Sequence, residues 1–222
     1  MTLHERLAEL AAIGANPEGI NRGLFTAAER EARERLASWS EAAGLHVEQD
    51  RVGNLFARLR GREDTAPIQC GSHLDTVRNG GPYDGAYGVV GGLEALARIA
   101  ASGVRPRRPL EVVAWAGEEG SRFPLGCLGS AVYAGLTPYD EVCALVSDDG
   151  EDFASALHGA GGLLPGVAVR DGFPHPAAYL ELHIEQGPVM ERDGMRLGIV
   201  SAIAGQRRFQ ALVEGAAGHA GT

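Results

Sequence analysis

Histidine and aspartate lie two positions apart in the segment GSHLDT, at residues 71–76. Because side chains alternate along a strand, His73 and Asp75 would share one face. A carboxylate that accepts a hydrogen bond from a metal-bound imidazole is a common arrangement, so we expect Asp75 to orient His73. A histidine–aspartate pair on an ordinary protein surface has the same spacing, so the segment is informative only together with others.

The next candidate is Asp84, which lies among glycines in GGPYDG, at residues 80–85. A lone acid in such a segment is usually a turn residue. Glycines also let a carboxylate lie close to a cation, and an aspartate has two oxygens with which to bridge two cations. The segment therefore predicts either a turn or a bridging ligand.

Two adjacent glutamates, Glu118 and Glu119, follow the apolar run LEVVAWA at residues 110–116. Adjacent carboxylates after a buried strand are unfavourable unless a cation or a proton separates their roles. One of them can then bind a metal while the other transfers protons. A solvated pair of acids in a loop is the alternative.

A second histidine, His183, lies in ELHIEQGP at residues 181–188, where a strand meets a loop. Glu185 follows two positions later and is a candidate to orient it, whereas a structural histidine is the alternative. The order of the four segments is more specific than any one of them. Mixed histidine and carboxylate ligands suit Zn²⁺, Mn²⁺, Co²⁺ or Ni²⁺. No cysteine belongs to the set, which argues against a structural zinc site.

The elements that must position these residues follow from periodicity and turn residues. Helices are predicted at 26–43, with Thr26 and Glu29 as a capping box, and at 89–101. A hairpin is predicted from strands 45–49 and 54–59. Further strands are predicted at 67–72, 110–116, 179–184, 197–203 and 208–214. This alternation indicates an α/β fold with a mixed, partly parallel sheet flanked by helices.

Composition excludes several classes of protein. The net charge of −9 argues against a broad nucleic-acid surface. No apolar run is long enough to span a membrane, and the start MTLHERLAEL does not resemble a signal peptide. The three cysteines have no close spacing, which favours reduced thiols and a cytoplasmic protein.

At this point the chain resembles a known family. The segments that carry the resemblance are NRGLFTAAEREAR, GLHVEQDRVGNLFARLRG, GSHLDTVRNGGPYDGAYGVVGGLEAL, AGEEGSRFPLGCLGS, LELHIEQGPVME and GIVSAIAGQRRFQALVEGAAGHAGT. They are similar to zinc-dependent amidohydrolases that include N-carbamoyl-L-amino acid hydrolases, allantoate amidohydrolases and β-ureidopropionases, relatives of aminoacylases and di-metal dipeptidases. The stretches EEGSRF and HIEQGP resemble this branch rather than the dipeptidases.

The resemblance implies a metallopeptidase-like catalytic domain, two divalent metal ions for each full-length subunit, and a homodimer. It implies that His73, Asp84 and His183 hold the first metal and that Asp84 and Glu119 hold the second. Glu118 would be the general base, with Asp75 as the orienting residue. Gln186 and His219 would contact the substrate, with His219 reaching the active site of the partner subunit. These roles are implied for the residues His73, Asp75, Asp84, Glu118, Glu119, His183, Gln186 and His219.

The resemblance also implies that the chain is truncated. Residues 1–204 would form the N-terminal portion of the catalytic domain, and 205–222 the start of an inserted α+β lid and dimerisation domain. The implied reaction is hydrolysis of an N-carbamoyl-L-amino acid to the amino acid, CO₂ and ammonia. Allantoate, ureidoglycolate, β-ureidopropionate and N-acyl amino acids are alternative substrates. An inactive metal-binding fragment is the alternative of another class.

Overall fold

The structure is a computed structural model that describes residues 1–172, 175–205, 209, 211–212, 214–216, 218–219 and 221. The chain divides into two compact units, Met1–Ile184 and Glu185–Thr222. The domain boundary expected at residues 204 and 205 stays a prediction. Among the described residues no helix combines the length and the apolar character that crossing a bilayer requires.

The first unit contains all eight strands and six of the seven helices found in the described part of the chain. The helices are α1 Leu3–Ala12, α2 Ala27–Ala42, α3 Ala86–Ala101, α4 Leu128–Tyr133, α5 Tyr139–Cys143, α6 Phe153–His158 and, in the second unit, α7 Val189–Arg192. The strands are β1 Ala15–Asn16, β2 Gly19–Ile20, β3 His46–Gln49, β4 Leu55–Leu59, β5 Ile68–His73, β6 Leu110–Trp115, β7 Ala168–Val169 and β8 Ala178–Leu180.

Six strands form one mixed sheet in the order β7-β3-β4-β6-β5-β8. The strand β5 is parallel to both β6 and β8, whereas β4 is antiparallel to β3 and to β6. A large apolar core joins α1, α2 and α3 to the sheet, and a second core lies around α4 and α6. The α/β class with a mixed sheet flanked by helices is confirmed.

Local sequence explains the helix that precedes the predicted hairpin. The hydroxyl of Thr26 accepts a hydrogen bond from the Glu29 backbone N–H at 3.3 Å, which satisfies one of the donors left free at the start of α2. The carboxylate of Glu29 accepts from the Phe25 N–H and pairs with Arg33 at 2.8 Å one turn later. The helix at 26–43 and the hairpin that follows it are confirmed.

The end of the chain departs from the predictions. The strand expected at 197–203 is wrong: these residues form no strand, and among the described residues their apolar side chains are left exposed, with Leu197, Ile199 and Ile203 at 82%, 98% and 91%. The strand expected at 179–184 is shorter and covers Ala178–Leu180. The strand expected at 208–214 lies partly outside the described residues, and its described members are not in a strand.

Candidate metal centre

Three neighbouring parallel strands bring the candidate residues to one edge of the sheet. His73 is the last residue of β5 and is paired in register with Trp115, the last residue of β6. The segment with the two glutamates follows β6 directly, and His183 lies three residues beyond β8. Because β5 is parallel to both neighbours, the ends of all three strands meet at the edge where α/β proteins place their sites.

The first cluster contains His73, Asp84 and His183. The Asp84 Oδ1 lies 3.1 Å from the His183 Nε2 and 3.8 Å from the His73 Nε2. One donor atom from each of the three residues lies within 4.8 Å of the others. The ligand set expected for the first metal is therefore brought together by residues that are 110 positions apart in sequence, from 73 to 183.

The second cluster contains His73, Glu118 and Glu119, whose donor atoms also lie within 4.8 Å of one another. The Glu118 Oε2 lies 3.6 Å from the His73 Nε2. Both glutamates are thus within reach of the same position. The division of roles between them, with Glu119 as a metal ligand and Glu118 as the general base, stays a prediction.

Gly85 lets the loop that carries Asp84 lie directly against His73. Its φ is +62°, and a Cβ at this position would lie 2.5 Å from the His73 carbonyl oxygen and 2.6 Å from two ring carbons of the imidazole. Only glycine adopts this backbone conformation without a steric penalty and leaves room for the ring. The glycines around Asp84, for which the sequence allowed either a turn or a close approach to a cation, thus bring a carboxylate close to an imidazole.

Asp75 contacts His73 in a different way from the one expected. The His73 Nδ1 lies 2.8 Å from the backbone carbonyl oxygen of Asp75 and 3.7 Å from its carboxylate. The carboxylate instead accepts hydrogen bonds from the backbone N–H groups of Glu118 and Glu119, both at 3.1 Å. The main chain of Asp75 therefore orients the imidazole, while its side chain holds the two glutamates in place.

Burial and charge act in opposite directions on His73. Burial alone would lower the pKa of the imidazole, but the carboxylates of Asp75 and Glu118 offset that effect and leave its pKa above the ordinary value. Burial also raises the pKa of Asp75 to about 6, against the effect of His73 and two backbone N–H donors. The cluster thus stabilises positive charge at its centre.

His183 is oriented by the main chain, and not by Glu185 as expected. Its Nδ1 lies 2.8 Å from the backbone carbonyl oxygen of Ile184. The Glu185 carboxylate accepts hydrogen bonds from the backbone N–H groups of Val189 and Met190, at the start of α7. A carboxylate that caps a helix is a strong acceptor for those N–H groups, which explains why Glu185 is used there.

A buried pair missed by the sequence analysis supports the loop after β6. The Asp50 carboxylate accepts from the N–H groups of Val52 and Asn54, each at 3.0 Å, and from the Asn54 side-chain amide at 2.7 Å. The Asn54 Oδ1 in turn accepts from the Ala116 N–H at 2.8 Å, just before the glutamates. The sequence suggested only a hairpin turn at this position.

Asp50 gives the stability of the chain a specific pH dependence. Burial raises the pKa of Asp50 from 3.8 to about 6 despite its three hydrogen bonds. The contribution of Asp50 to the free energy of unfolding is therefore fully present below about pH 3.8, and it is lost as the pH rises through about 6. Urea unfolding should show that the advantage of the wild type over Asp50→Asn shrinks by about 2 kcal/mol between roughly pH 4.5 and 7.5.

The same substitution at an exposed position, Asp64→Asn, is the control for this measurement. It should give a stability curve parallel to that of the wild type. Equal pH slopes for the wild type and Asp50→Asn would contradict the assignment.

Four further residues near the site, Ser72, Trp115, Tyr179 and Glu181, were not singled out from the sequence. Glu181 accepts hydrogen bonds from the Ser72 hydroxyl at 2.6 Å and the Tyr179 hydroxyl at 2.9 Å. Tyr179 also accepts from the Trp115 indole N–H at 2.9 Å. Glu181 lies two positions before His183, so the same alternation rule that was applied to Asp75 would have placed it on the histidine's face.

The two residues expected to contact the substrate, Gln186 and His219, belong to the second unit. Both are exposed, and Gln186 has a φ of +57°, in the left-handed region. Such a conformation is uncommon for a residue other than glycine and is enriched at functional sites. The roles of Gln186 and His219 stay predictions.

Comparison with known proteins places this site in a family context. Residues 54–150, which include His73, Asp84 and both glutamates, match Peptidase family M28. An N-carbamoyl-L-amino acid amidohydrolase from Geobacillus stearothermophilus is 42% identical over 99% of this chain and 54% of its own length. The chain is homologous to these amidohydrolases. An allantoate amidohydrolase from Escherichia coli is 38% identical, again over 99% of this chain and 54% of its own length.

A solved structure agrees with this relationship. A hydantoinase/carbamoylase family amidase from Burkholderia ambifaria has a TM-score of 0.82 and 43% identity, and the match covers 86% of this chain and 46% of that one. The resemblance to these amidohydrolases that the motifs indicated is thus confirmed. This chain spans about half the length of the curated relatives it matches.

The donor set fits a divalent transition metal. It combines imidazole nitrogens with carboxylate oxygens in two clusters that share His73. These are the ligand types found in catalytic zinc sites, which keep a position open for a substrate or water. The close approach at Gly85 and the charge balance around His73 agree with a cation at this position.

Proposed function

We propose that the protein containing this chain hydrolyses a carbon–nitrogen bond in a linear amide or ureido group. The preferred substrate class is an N-carbamoyl-L-amino acid, which with water yields the amino acid, CO₂ and ammonia. One observation supports this most directly: His73, Asp84 and His183 converge, and both glutamates lie beside them. Metal-dependent hydrolysis requires such ligands together with a neighbouring base.

We assign the ligands as follows. His73, Asp84 and His183 would hold one divalent ion, and Asp84 and Glu119 would contribute to a second. The preferred metal is zinc, with manganese, cobalt and nickel as alternatives. The bound metals would polarise the carbonyl group and make a water molecule more acidic.

Glu118 is the residue assigned to proton transfer. Its side chain is 36% exposed, whereas that of His73 is 3% exposed, so water and substrate can reach the glutamate. The Glu118 backbone N–H donates to the Asp75 carboxylate at 3.1 Å, and this bond limits the positions that the Glu118 carboxylate can take. Glu118 would accept a proton from the attacking water and deliver it to the leaving nitrogen.

The remaining assignments concern the substrate and the assembly. Gln186 and His219 would contact the substrate, with His219 stabilising the negative oxygen that develops during attack. A homodimer would supply His219 from the partner subunit. Action of His219 across the dimer is tested by mixing His219→Ala subunits with Glu118→Gln subunits. Verified heterodimers should regain activity, because one of their two sites then has both groups intact. The three free cysteines agree with a location in the cytoplasm.

The alternative functions within this group of amidohydrolases differ in the substrate that is hydrolysed. Allantoate is the principal alternative, because one relative of similar identity is an allantoate amidohydrolase. Ureidoglycolate, β-ureidopropionate and N-acyl amino acids are the others. All of them contain a carbonyl group bonded to nitrogen, so the same ligands and base would serve each one.

The test is to assay the protein against these substrates before and after removal of metal. A chelator should abolish ammonia release from N-carbamoyl-L-amino acids, and added Zn²⁺, Mn²⁺, Co²⁺ or Ni²⁺ should restore it. His183→Ala, which removes one proposed ligand, is expected to lower both metal content and turnover. Undiminished hydrolysis by metal-free protein would contradict the proposal.

A further inference from the structure

A cavity of about 340 Å³ opens beside Glu118. It lies within the first unit and is lined by residues of β5, β6, α4 and β8 and of the segments next to these elements. Its lining includes Gln69, Trp115, Glu118, Tyr133, Tyr179 and Glu181. Ligand pockets have volumes of about 300–1,000 Å³, so this one suits a single ring rather than a larger group.

Aromatic rings form its walls. The ring centroid of Trp115 lies 5.0 Å from that of Tyr133 and 6.0 Å from that of Tyr179. The Trp115 indole N–H donates a hydrogen bond of 2.9 Å to the Tyr179 hydroxyl, and this bond fixes the two rings relative to each other. Rings held in this way offer faces and edges to a flat apolar group.

Gln69, which also lines the cavity, brings a buried acceptor to it. This side chain is 1% exposed, and its Nε2 donates to the Glu111 carboxylate at 2.5 Å and the Tyr133 hydroxyl at 2.9 Å. Glu111 is fully buried and forms ion pairs with Arg58 at 2.8 Å and Arg170 at 3.0 Å. Because an ionised carboxylate only accepts hydrogen bonds, it determines which end of the Gln69 amide faces it.

The other end of that amide, the Gln69 Oε1, is buried and has no hydrogen-bond partner among the described residues. A buried acceptor of this kind is costly unless a donor reaches it. The two carboxylates that line the same cavity, Glu118 and Glu181, disfavour a negatively charged occupant. The cavity therefore combines aromatic walls, an unused acceptor and an acidic lining.

We propose that this cavity is the subsite for the substrate's side chain and that it takes an uncharged aromatic ring carrying a hydrogen-bond donor. The phenol of N-carbamoyl-L-tyrosine has this chemistry, with its hydroxyl donating to the Gln69 Oε1. The inference rests on the proposed function, because Glu118 is shared by the cavity and the reacting centre. It goes further by naming the side chain that the site prefers.

Binding is tested without turnover by using Cys127, an exposed thiol that lines the cavity. N-acetyl-L-tyrosinamide should slow the alkylation of Cys127 by iodoacetamide, measured by mass spectrometry, at concentrations about tenfold below those needed for N-acetyl-L-phenylalaninamide. Cys70 and Cys143, which are partly buried and do not line the cavity, are internal references. Equal protection by both amides, or none by either, would overturn the proposal.

Specificity is tested with variants whose readout is a ratio. In Gln69→Met, which removes the acceptor at similar volume, the kcat/KM for N-carbamoyl-L-tyrosine relative to N-carbamoyl-L-phenylalanine should fall about tenfold. In Ser130→Leu, which fills the cavity from α4, both aromatic substrates should lose kcat/KM relative to N-carbamoyl-L-alanine. Ser38→Leu makes the same change at an exposed position of α2 and should leave these ratios unaltered.

Different results would contradict the proposed function and the proposed subsite. Protection of Cys127 by the tyrosine amide without any hydrolysis of carbamoyl substrates would contradict the proposed function and leave the cavity's ligand class supported. Hydrolysis with unaltered ratios in both Gln69→Met and Ser130→Leu would overturn the subsite and leave the proposed function standing.

Discussion

Replacement of Glu118 by glutamine is expected to lower kcat by about 10²-fold or more, because an amide cannot accept the proton that a general base removes from water. The change keeps the size and the polarity of the side chain. It also keeps the backbone N–H of residue 118 that donates to Asp75 at 3.1 Å. Metal content should therefore stay close to that of the wild type while turnover is lost.

Glu119→Gln is the matched comparison, since it makes the same chemical change at the neighbouring position. Its backbone N–H also donates to the Asp75 carboxylate at 3.1 Å, so both variants disturb the loop equally little. If Glu119 is a ligand, this variant should lose metal, and added metal should restore part of its activity. Metal analysis and steady-state kinetics on both variants measure the difference.

Two results would reverse the roles of the glutamates. One is loss of metal in Glu118→Gln with metal retained in Glu119→Gln, which the 3.6 Å contact between Glu118 and His73 makes a real alternative. The other is a Glu118→Gln variant whose kcat is close to the wild-type value. In either case the resemblance would have assigned the wrong glutamate as base.

Replacement of Gly85 by alanine is expected to weaken metal binding by about 10- to 100-fold, the range found when groups that orient metal ligands are lost. The new Cβ would lie 2.5 Å from the His73 carbonyl oxygen and 2.6 Å from its ring, so the imidazole or the Asp84 loop must move. The φ of +62° adds backbone strain to this overlap. Titration against a competing chelator measures the metal affinity, and thermal unfolding should show a lower Tm.

Gly81→Ala is the control for this variant, because it adds the same methyl group four residues earlier in the same loop. A Cβ at Gly81 would meet nothing within 4 Å. Its metal affinity and Tm should match those of the wild type. Wild-type metal affinity in Gly85→Ala would show that the close approach of the Asp84 loop to His73 does not determine the site.

Several elements could be predicted because their signals are local. The helix that begins after Thr26 and the hairpin that follows it depend on a cap, on apolar periodicity and on turn residues that lie within a few positions of one another. The strand predicted at 197–203 had the same local signal but is absent, since a strand forms only where a partner strand and a covering layer exist. The sequence of the segment alone does not show whether a partner strand and a covering layer are present.

The candidate ligands were recognisable from the sequence, because His73, Glu119 and His183 lie in short segments where a strand is expected to end and Asp84 lies in a glycine-rich loop. The sequence by itself determined the chemical types of these ligands and the association of three of them with strand ends. Only the tertiary structure decided which atoms serve which purpose. Asp75 directs its carbonyl oxygen to His73 and its carboxylate to the glutamates, and Glu185 caps a helix, because the fold decides which donors come within reach of each acceptor. The aromatic cavity beside Glu118 likewise joins β5, β6, α4 and β8, and contacts between such distant segments follow from packing rather than from any pattern along the chain.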